Sequence, residues 1–401
     1  MWLILLSAVT ILQVAIFALL TSAWKTRKEN AHRQNPQKEF GPQQSPLSNI
    51  HYSLLTFNSP LSTLHNEDSS DLPQNGGISV LIAAKNEAEN LKRFLPGLLN
   101  QDFRGNYEVI VALDRCTDAS ESIVAELQTR HPHLKSIVID SLPEGWTGKK
   151  YALQQAIQTA RYDCLAFTDA DCELPPLWLD GMVSEFAKGN DLVLGVSPYA
   201  PANGFLNLLI RFETWMTAIL YIGLAKLGRP YMAVGRSLGY RKSWFEAVGG
   251  FKDIAHRLSG DDDLLVNRHA NPRKTGFLTD LETQVISLPK TTWRDWMRQK
   301  IRHGSAGSAY KPASMLILSV IHGLHLIFYL SLIVVLCVQP AFGWALMIYL
   351  LRTAALIAIL ASLPWRNKVA LLVAFPLLDV AYLIYLALLA PAAALIQPKW
   401  N

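Results

Sequence analysis

Cys164-Leu165-Ala166-Phe167-Thr168-Asp169-Ala170-Asp171 is a short apolar run that ends on two carboxylates two residues apart. A run of this length, closed by polar residues, predicts a buried β-strand whose carboxyl end opens onto a turn. The same pattern recurs toward the N-terminus. Ile78 to Ala84 is a β-rich run followed by helical periodicity from Glu87 to Leu99, and Tyr107 to Leu113 is a second strand followed by a helix from Ser120 to Thr129. Ser136 to Ile139 is a third strand, and a helix from Gly148 to Ala160 leads into the Cys164 to Thr168 strand. Strands alternating with helices predict an α/β fold: a parallel sheet with helices on its faces, which binds ligands outside the carboxyl ends of its strands.

Those ends carry polar side chains. Ala83 and Ala84 close the first run ahead of Lys85-Asn86-Glu87, Asp114-Arg115-Cys116-Thr117-Asp118 follows the second, and Thr168-Asp169-Ala170-Asp171 follows the fourth. Residues two apart share a face of a straight strand, and at a turn both carboxylates can aim at one cation. A hard ion such as Mg²⁺ or Mn²⁺ takes a few protein oxygens and draws its other ligands from phosphates, so Asp169 and Asp171 are candidate ligands for a metal on a nucleotide diphosphate. Two close aspartates alone equally describe a solvated turn or a helix cap. Their place after a buried-type strand, in series with two other polar strand ends, singles them out. Gly148-Lys149-Lys150 opens a helix, and a helix N-terminus with an added lysine suits a diphosphate. The plain alternative is a capped helix with a solvated lysine pair.

Half of the 401 residues are hydrophobic, only 17% are charged, and the mean hydropathy of +0.18 is high for a soluble chain. Apolar runs of bilayer length lie at both ends. Trp2 to Trp24 is uncharged over about 23 residues, enough at ~1.5 Å per residue to cross a hydrocarbon core of about 30 Å. A signal peptide would carry its cations ahead of a shorter run, whereas Lys25, Arg27 and Lys28 follow this one. Residues 1–24 are therefore read as an anchor, with the chain beyond it on the cytoplasmic side. Residues 25–76, rich in Gln, Asn, Ser and Pro, read as a polar linker, in which Tyr52 to Phe57 either lies on the membrane surface or packs on the domain. Within 313–396 three further segments are long enough to span: about Ala313 to Val338, Phe342 to Ala361 and Val369 to Ile396. The basic loop Trp365-Arg366-Asn367-Lys368 belongs on the cytoplasmic side, in agreement with the N-terminal cations. Arg352 and Asp379 are costly in hydrocarbon and are expected to pair, with contact to a lipid phosphate as the alternative.

A formal charge of +5 with dispersed Lys and Arg argues against a nucleic-acid partner. The cysteines Cys116, Cys164, Cys172 and Cys337 lack both C-x-x-C spacing and companion histidines, which fits a reduced, cytosol-facing catalytic region.

Taken in order, these motifs resemble a family 2 glycosyltransferase over residues from about 78 to 303. Ala83 to Glu87 is similar to the first-strand Asn-Glu signature, Asp114 to Asp118 to the acidic turn that holds base and ribose, and Gly148-Lys149-Lys150-Tyr151-Ala152-Leu153 to a Gly-Lys-x-x-Ala-Leu helix start. The sequence departs from the pattern at the second turn, where Leu113 stands at one of two acidic places and Arg115 follows Asp114. The resemblance implies a GT-A, Rossmann-like nucleotide-sugar domain over 77–303, carried between N- and C-terminal transmembrane helices. It further implies that Ala83, Asn86, Glu87, Asp114, Asp118, Lys149 and Asp169 bind the nucleotide-sugar, and that Asp169 and Asp171 hold Mg²⁺ or Mn²⁺.

A second acidic cluster is Gly260-Asp261-Asp262-Asp263-Leu264-Leu265-Val266-Asn267-Arg268. An inverting transfer needs a carboxylate to take the acceptor's proton. Laying the family's Glu-Asp-x-x-Leu-x-x-Arg pattern here makes Asp262 that base beside Asp261; a register shifted by one makes it Asp261. Asp263 reads plainly as the solvated start of a helix. Trp293-Arg294-Asp295-Trp296-Met297-Arg298-Gln299-Lys300-Ile301-Arg302-His303 is an interfacial helix, about 291–304, that snorkels its cations. Its Gln299 and Arg302 match the family's Gln-x-x-Arg-Trp motif, which implies that Arg302 steadies the departing diphosphate. His303 stands in place of the tryptophan with which processive members hold a growing chain.

Phe205 to Leu227 is apolar and long enough to cross, but crossing there would part the two acidic clusters. It reads as a membrane-skimming helix at the acceptor entrance or as a buried core helix. Gly235 to Arg241 reads as a flexible loop and strand beside the acceptor. The expectation is a multi-pass cell-membrane enzyme with a cytoplasmic catalytic domain. It would move one sugar, from a UDP-hexose, by metal-dependent inversion to a lipid or lipid-linked acceptor, similar in this to ceramide glucosyltransferase and its bacterial relatives. The alternatives are a processive polysaccharide synthase and a degenerate, non-catalytic transferase.

Overall fold

The structure is a computed structural model and describes residues 1–25, 76–338 and 342–395. All but the ends of the 25–76 linker, including Tyr52 to Phe57, lies outside the described residues. After α1 (Trp2–Lys25) the chain forms β1 (Gly77–Ala84), α2 (Ala88–Leu99), β2 (Asn106–Asp114), α3 (Ser120–Gln128), β3 (Leu134–Ile139), α4 (Gly148–Thr159) and β4 (Cys164–Phe167). Each expected strand and helix of this series is present, with ends shifted by at most about two residues, the ordinary scatter of element ends. There follow β5 (Cys172–Glu173), α5 (Trp178–Ala187), β6 (Leu192–Gly195), α6 (Phe205–Lys226), β7 (Leu238–Arg241), α7 (Lys242–Ala247), α8 (Asp263–His269), β8 (Thr275–Leu278) and β9 (Ile286–Ser287). The last helices are α9 (Trp293–Gly307), α10 (Pro312–Val338), α11 (Phe342–Ala361), α12 (Val369–Val373) and α13 (Phe375–Leu395).

Seven strands make one sheet in the order β3-β2-β1-β4-β7-β6-β8, and β5 pairs with β9 apart from it. The strands from β1 to β4 are parallel to one another, whereas β7 runs antiparallel to both β4 and β6. Alternation sorts the side chains between two cores. Ile78, Val80 and Ile82 join Val109 and Val111 beneath Leu91 of α2, Val124 of α3 and Trp178 of α5. Leu81, Ile110 and Leu165 join Ala152 and Ile157 of α4 and most of α6 on the other face. The strand order turns back between β1 and β4, which places the ligand crevice at the ends that carry Ala83 and Asp169.

Of the two readings of Phe205 to Leu227, the structure has the buried one. Of the most apolar window of α6, 89% is buried, against 22%, 22% and 33% for the other helices of spanning length, Trp2–Lys25, Pro312–Cys337 and Phe342–Ala361. A helix apolar on all sides needs cover on all sides. The sheet covers one side of α6; on the others Leu20 of α1 lies against Gly223, Phe212 meets Phe375 and Tyr382, and Trp215 stacks on Trp365 at 5.7 Å. The α/β domain and the apolar helices thus form one continuous packing.

The expected span from Val369 to Ile396 is broken at Ala374 into α12 and α13. Pro376 is the cause, since it donates no backbone hydrogen bond and its ring crowds the preceding turn, so it sits in the first turn of a new helix. The end of α1 and the Trp365 to Lys368 loop lie against the α/β domain: Lys226 Nζ donates to Trp24 O, Gln284 Nε2 to Pro364 O at 2.8 Å, and Arg366 Nη2 to Leu281 O at 2.8 Å.

Arg352 and Asp379 pair as expected, with Nη1 2.6 Å from Oδ2, and Tyr329 donates to the same oxygen at 2.7 Å. Asp379→Leu leaves a buried guanidinium without its counter-ion and is expected to cost about 3–5 kcal/mol. Arg352→Leu with Asp379→Leu removes both charges and should recover most of that loss. Thermal midpoints in detergent test this, and a single variant no less stable than the double would refute it.

Candidate active site

Five separate segments of the sequence converge at the carboxyl ends of β1 and β4. A cleft of about 290 Å³ there is lined by Ala83, Lys149, Thr168, Asp169, Gly235, Tyr240, Asp261 and Asp262, among others. Thr168 Oγ1 is buried in its wall without a hydrogen-bond partner among the described residues. A polar atom so placed favours a ligand that supplies the missing bond.

Lys149 is the centre of the arrangement. Its Nζ lies 3.0 Å from Asp169 Oδ1 and 3.4 Å from Asp261 Oδ2, so one ammonium ties the end of β4 to the acidic cluster before α8. Both clusters therefore face one cleft, and α6 does not part them. Burial alone would lower the Lys149 pKa, but Asp169, Asp261 and Asp262 together raise it above the ordinary lysine range. The solvated-pair alternative fails for Lys150 too, which is 1% exposed and donates to the carbonyls of Arg257 and Ser259 at 2.5 and 2.9 Å. It fixes the loop that delivers the acids. Gly260 turns that loop at φ +105°, where a Cβ would come within 2.5 Å of Leu264.

Asp262 caps α8: its Oδ1 accepts from Asp263 N at 2.8 Å and its Oδ2 from Gly235 N at 2.7 Å. The carboxylate is held on two sides by backbone donors. Burial and the neighbouring Asp261 push its carboxyl up to about 6. Burial acts on Asp261 as well, yet Lys149 and Lys150 outweigh it and hold that carboxyl at about 2. Asp263 is no solvated helix start. It is 6% exposed, accepts from Tyr310 OH at 2.8 Å, and is pushed up to about 8 by burial and by Asp262.

Asp171 turns toward β9, where Ser287 Oγ donates to its Oδ1 at 3.4 Å. Burial, then the charge of Asp169, raise its pKa; burial likewise raises Glu87 against its bond from Asn90, with Asp171 and Asp169 adding to the rise. Like charges this close favour a cation between them. The donors are hard oxygens, and the Lys149 ammonium already stands beside Asp169 as a cation would. Among the described residues no group of three or more His, Cys, Asp or Glu side chains could hold a metal. Asp169 lines the cleft and Asp171 is not among its lining residues, and a divalent ion held by their hard oxygens would take its remaining ligands from phosphate.

Other expected contacts are engaged within the protein. Asp114 is held by Arg115, with Nε 2.7 Å from Oδ1 and Nη2 3.0 Å from Oδ2. Gly148 packs so close that a Cβ there would lie 2.1 Å from Asp114 Oδ2. Asp118 accepts from Ala88 N and Ser120 N, both at 3.0 Å, and Asn86 accepts from Thr117 N at 2.8 Å. Asn86 and Asp118 thus lash the first two strand-end loops together and shape the rim of the crevice.

Gly235 to Ser237 is a tight turn, not a flexible loop, and Leu238 to Arg241 is an inner strand of the sheet. The cause is Arg236, which donates to Ser197 Oγ at 3.1 Å and Tyr199 OH at 2.7 Å and lies over the Tyr199 ring at 4.5 Å. Nothing local marks it in the sequence, since those partners lie 39 and 37 positions earlier. The charges of Asp169 and Asp171 reach it. The helix expected over about 291–304 is α9, held to α6 by Lys300 and Glu213 at 2.5 Å and to α13 by Trp296 stacked on Tyr385 at 4.9 Å. Arg302 Nη2 is 3.4 Å from His303 Nε2, and His303 lies within electrostatic reach of Arg236 and Lys149. Gln299, three residues before Arg302 on the same helix, is half-buried.

Two family profiles match this chain, one described as glycosyl transferase family 2 over residues 79–249 and one as glycosyl transferase family group 2 over residues 165–396. Glycosyltransferase AglE of Haloferax volcanii is 27% identical over 230 residues, which span 57% of this chain and 71% of that protein. The 4,4'-diaponeurosporenoate glycosyltransferase of Staphylococcus haemolyticus is 34% identical over 186 residues, 45% of this chain and 48% of its own length. The mannosyltransferase PcManGT of Pyrobaculum calidifontis, solved with GDP-Man and Mn²⁺, covers 97% of this chain with a TM-score of 0.51 at 19% identity, a likeness of fold.

Proposed function

The chain belongs to the family 2 glycosyltransferases and has their GT-A fold, and from that premise we propose that it moves a hexose from a UDP-sugar to a lipid acceptor at the cytoplasmic membrane face, with inversion and with a divalent metal. One observation carries this reading: Lys149 touches Asp169 and Asp261 in a single cleft, so the donor-holding carboxylate and the acidic cluster that contains the base stand on either side of one cation.

Asp169 and Asp171 would hold Mg²⁺ or Mn²⁺, which when bound would neutralise charge on the diphosphate. Lys149, at a helix N-terminus, turns from Asp169 toward phosphate oxygens. Ala83 leaves room for the donor, Glu87 stands near the metal-binding pair, and Asp114 and Asp118 set the turn beside the base and ribose. Asp262 takes the acceptor proton as the oxygen attacks the anomeric carbon from the face opposite the diphosphate. Arg302, with Gln299 one turn before it, steadies the leaving diphosphate.

Support for a lipid acceptor comes from the packing of α6 and α9 on the apolar helices, and from a relative named for a lipid substrate. Support for the cytoplasmic side comes from the sequence positions of the cations that follow α1 and of Arg366, with the end of α1 and the Arg366 loop both bonded to the α/β domain. The test is purified full-length protein with UDP-sugars, Mn²⁺ and a total lipid extract. Release of UDP together with a lipid one hexose heavier is expected. No UDP from any donor sinks the reading, and a ladder of products favours a processive synthase instead.

A further inference from the structure

A pocket with about 580 Å³ of empty space, part of it open to the surroundings, lies among α1, α6, α10, α11 and α13, apart from the sugar-transfer cleft. Phe17, Met216, Leu220, Leu356 and Leu360 give it apolar walls. Its inner end is polar. There Arg352 donates to Gln13 Oε1 at 2.8 Å and to Asp379 at 2.6 Å, beside His322 and His325 of α10. The charges are satisfied within the protein, so this end is a floor and not an open anion site.

Arg352 lies roughly 14 Å along α11 from Ala361, at ~1.5 Å per residue, which is about half of a ~30 Å hydrocarbon core. The floor therefore sits near the bilayer midplane, and the cavity extends from it toward α6, which lies under the catalytic sheet. One helix serves both places. Met216 and Leu220 line the cavity, while Glu213, one turn earlier, holds Lys300 of α9, the helix that carries Arg302.

We propose that this cavity holds the apolar chain of the acceptor lipid, and that the Arg352–Asp379 floor sets the chain length the enzyme accepts. The inference rests on the lipid-acceptor reading above. Lipid tails are as apolar as these walls, so the cavity gains little by transfer from the bilayer. What it supplies is position: a chain seated to the midplane fixes the depth of its own head, and so presents one hydroxyl beneath α9. A longer chain meets paired charges that offer its terminal methyl no favourable contact, and must fold back or leave.

Full-length protein in phosphatidylcholine and phosphatidylglycerol vesicles is loaded with a long-chain alcohol that bears a diazirine near its chain end. After photolysis the label is mapped by mass spectrometry. Label is expected at Leu324 and Tyr382, beside the floor of the cavity, as well as at the outward-facing Leu350 and Leu351. Leu356→Trp should lower the cavity label about 10-fold or more, the loss expected when an added side chain overfills a packed site, and leave the outward label unchanged. With a lipid extract as acceptor, the same variant should raise acceptor KM and shift products to shorter chains, with donor KM and donor hydrolysis by water unchanged. Leu220→Phe, from the opposite wall, serves as a second variant should the first misfold. Label confined to Leu350 and Leu351 overturns the proposal. So does a cavity label lost without any change in acceptor KM or product length, which identifies a structural lipid. Either failure leaves lipid glycosylation by the unmodified enzyme intact, whereas its absence overturns the acceptor reading as well.

Discussion

Asp262→Asn is expected to slow sugar transfer by about 10²- to 10⁴-fold, the contribution of a positioned general base, with donor affinity nearly unchanged. The amide keeps the size of the carboxylate, and its one oxygen can still accept from Asp263 N, so α8 keeps its cap while the bond from Gly235 N is lost. What it lacks is the ability to take a proton. The pH profile supplies a second reading of the same residue. Burial and Asp261 push the Asp262 carboxyl up to about 6, and a base works only when ionised. The rate should therefore rise as pH climbs through about 6 and level off above it. Asp261→Asn removes the neighbouring negative charge and should move that limb to lower pH. Abolished activity in Asp261→Asn with near-normal activity in Asp262→Asn would instead make Asp261 the base, as the shifted register has it.

Chelation is expected to stop transfer, by about 10³-fold or more given the several kcal/mol a bound cation contributes to charge stabilisation. Mn²⁺ or Mg²⁺ should restore it. Asp169→Asn with Asp171→Asn should leave a low rate that neither chelator nor added metal changes. Lys149 sharpens the test, because its ammonium stands 3.0 Å from Asp169 and competes with any cation bound there. Lys149→Met should tighten Mn²⁺ binding to the donor-free protein, read by electron paramagnetic resonance, and weaken binding of the nucleotide-sugar. Mn²⁺ affinity that ignores all three side chains would place the metal elsewhere or remove it from the reaction.

The alternation of apolar and polar residues is local, and local periodicity was enough to place β1 to β4, α2 to α4 and the apolar helices α10 and α11. The family motifs lie at strand ends for the same reason: a buried strand must stop where polar groups can again meet water or ligand. Arg352 and Asp379 could be paired on sequence alone because charge in hydrocarbon leaves few options.

The partners of each polar side chain were not legible. Asp114 turned to its neighbour Arg115, and Asp118 to the starts of two helices, although the motif reads as a base-binding turn. Gly235 looked flexible because the side chains that pin its turn, Ser197 and Tyr199, come from another part of the chain. Pro376 was legible as a residue that cannot continue a helix, but the apolar composition around it masked the break.

What the sequence by itself determined is the α/β order and the apolar helices, by periodicity, and the family, by the resemblance of its ordered motifs, which also proposed the acidic stations at Asp169, Asp171 and Asp262. What only the tertiary structure decided is how those stations meet: Lys149 spanning Asp169 and Asp261, Asp262 held by Gly235, and α6 buried between the sheet and the apolar helices. The reason is physical. Periodicity reports which face of an element seeks cover, but the identity of the cover and the partner of each charge are fixed only when distant segments pack together.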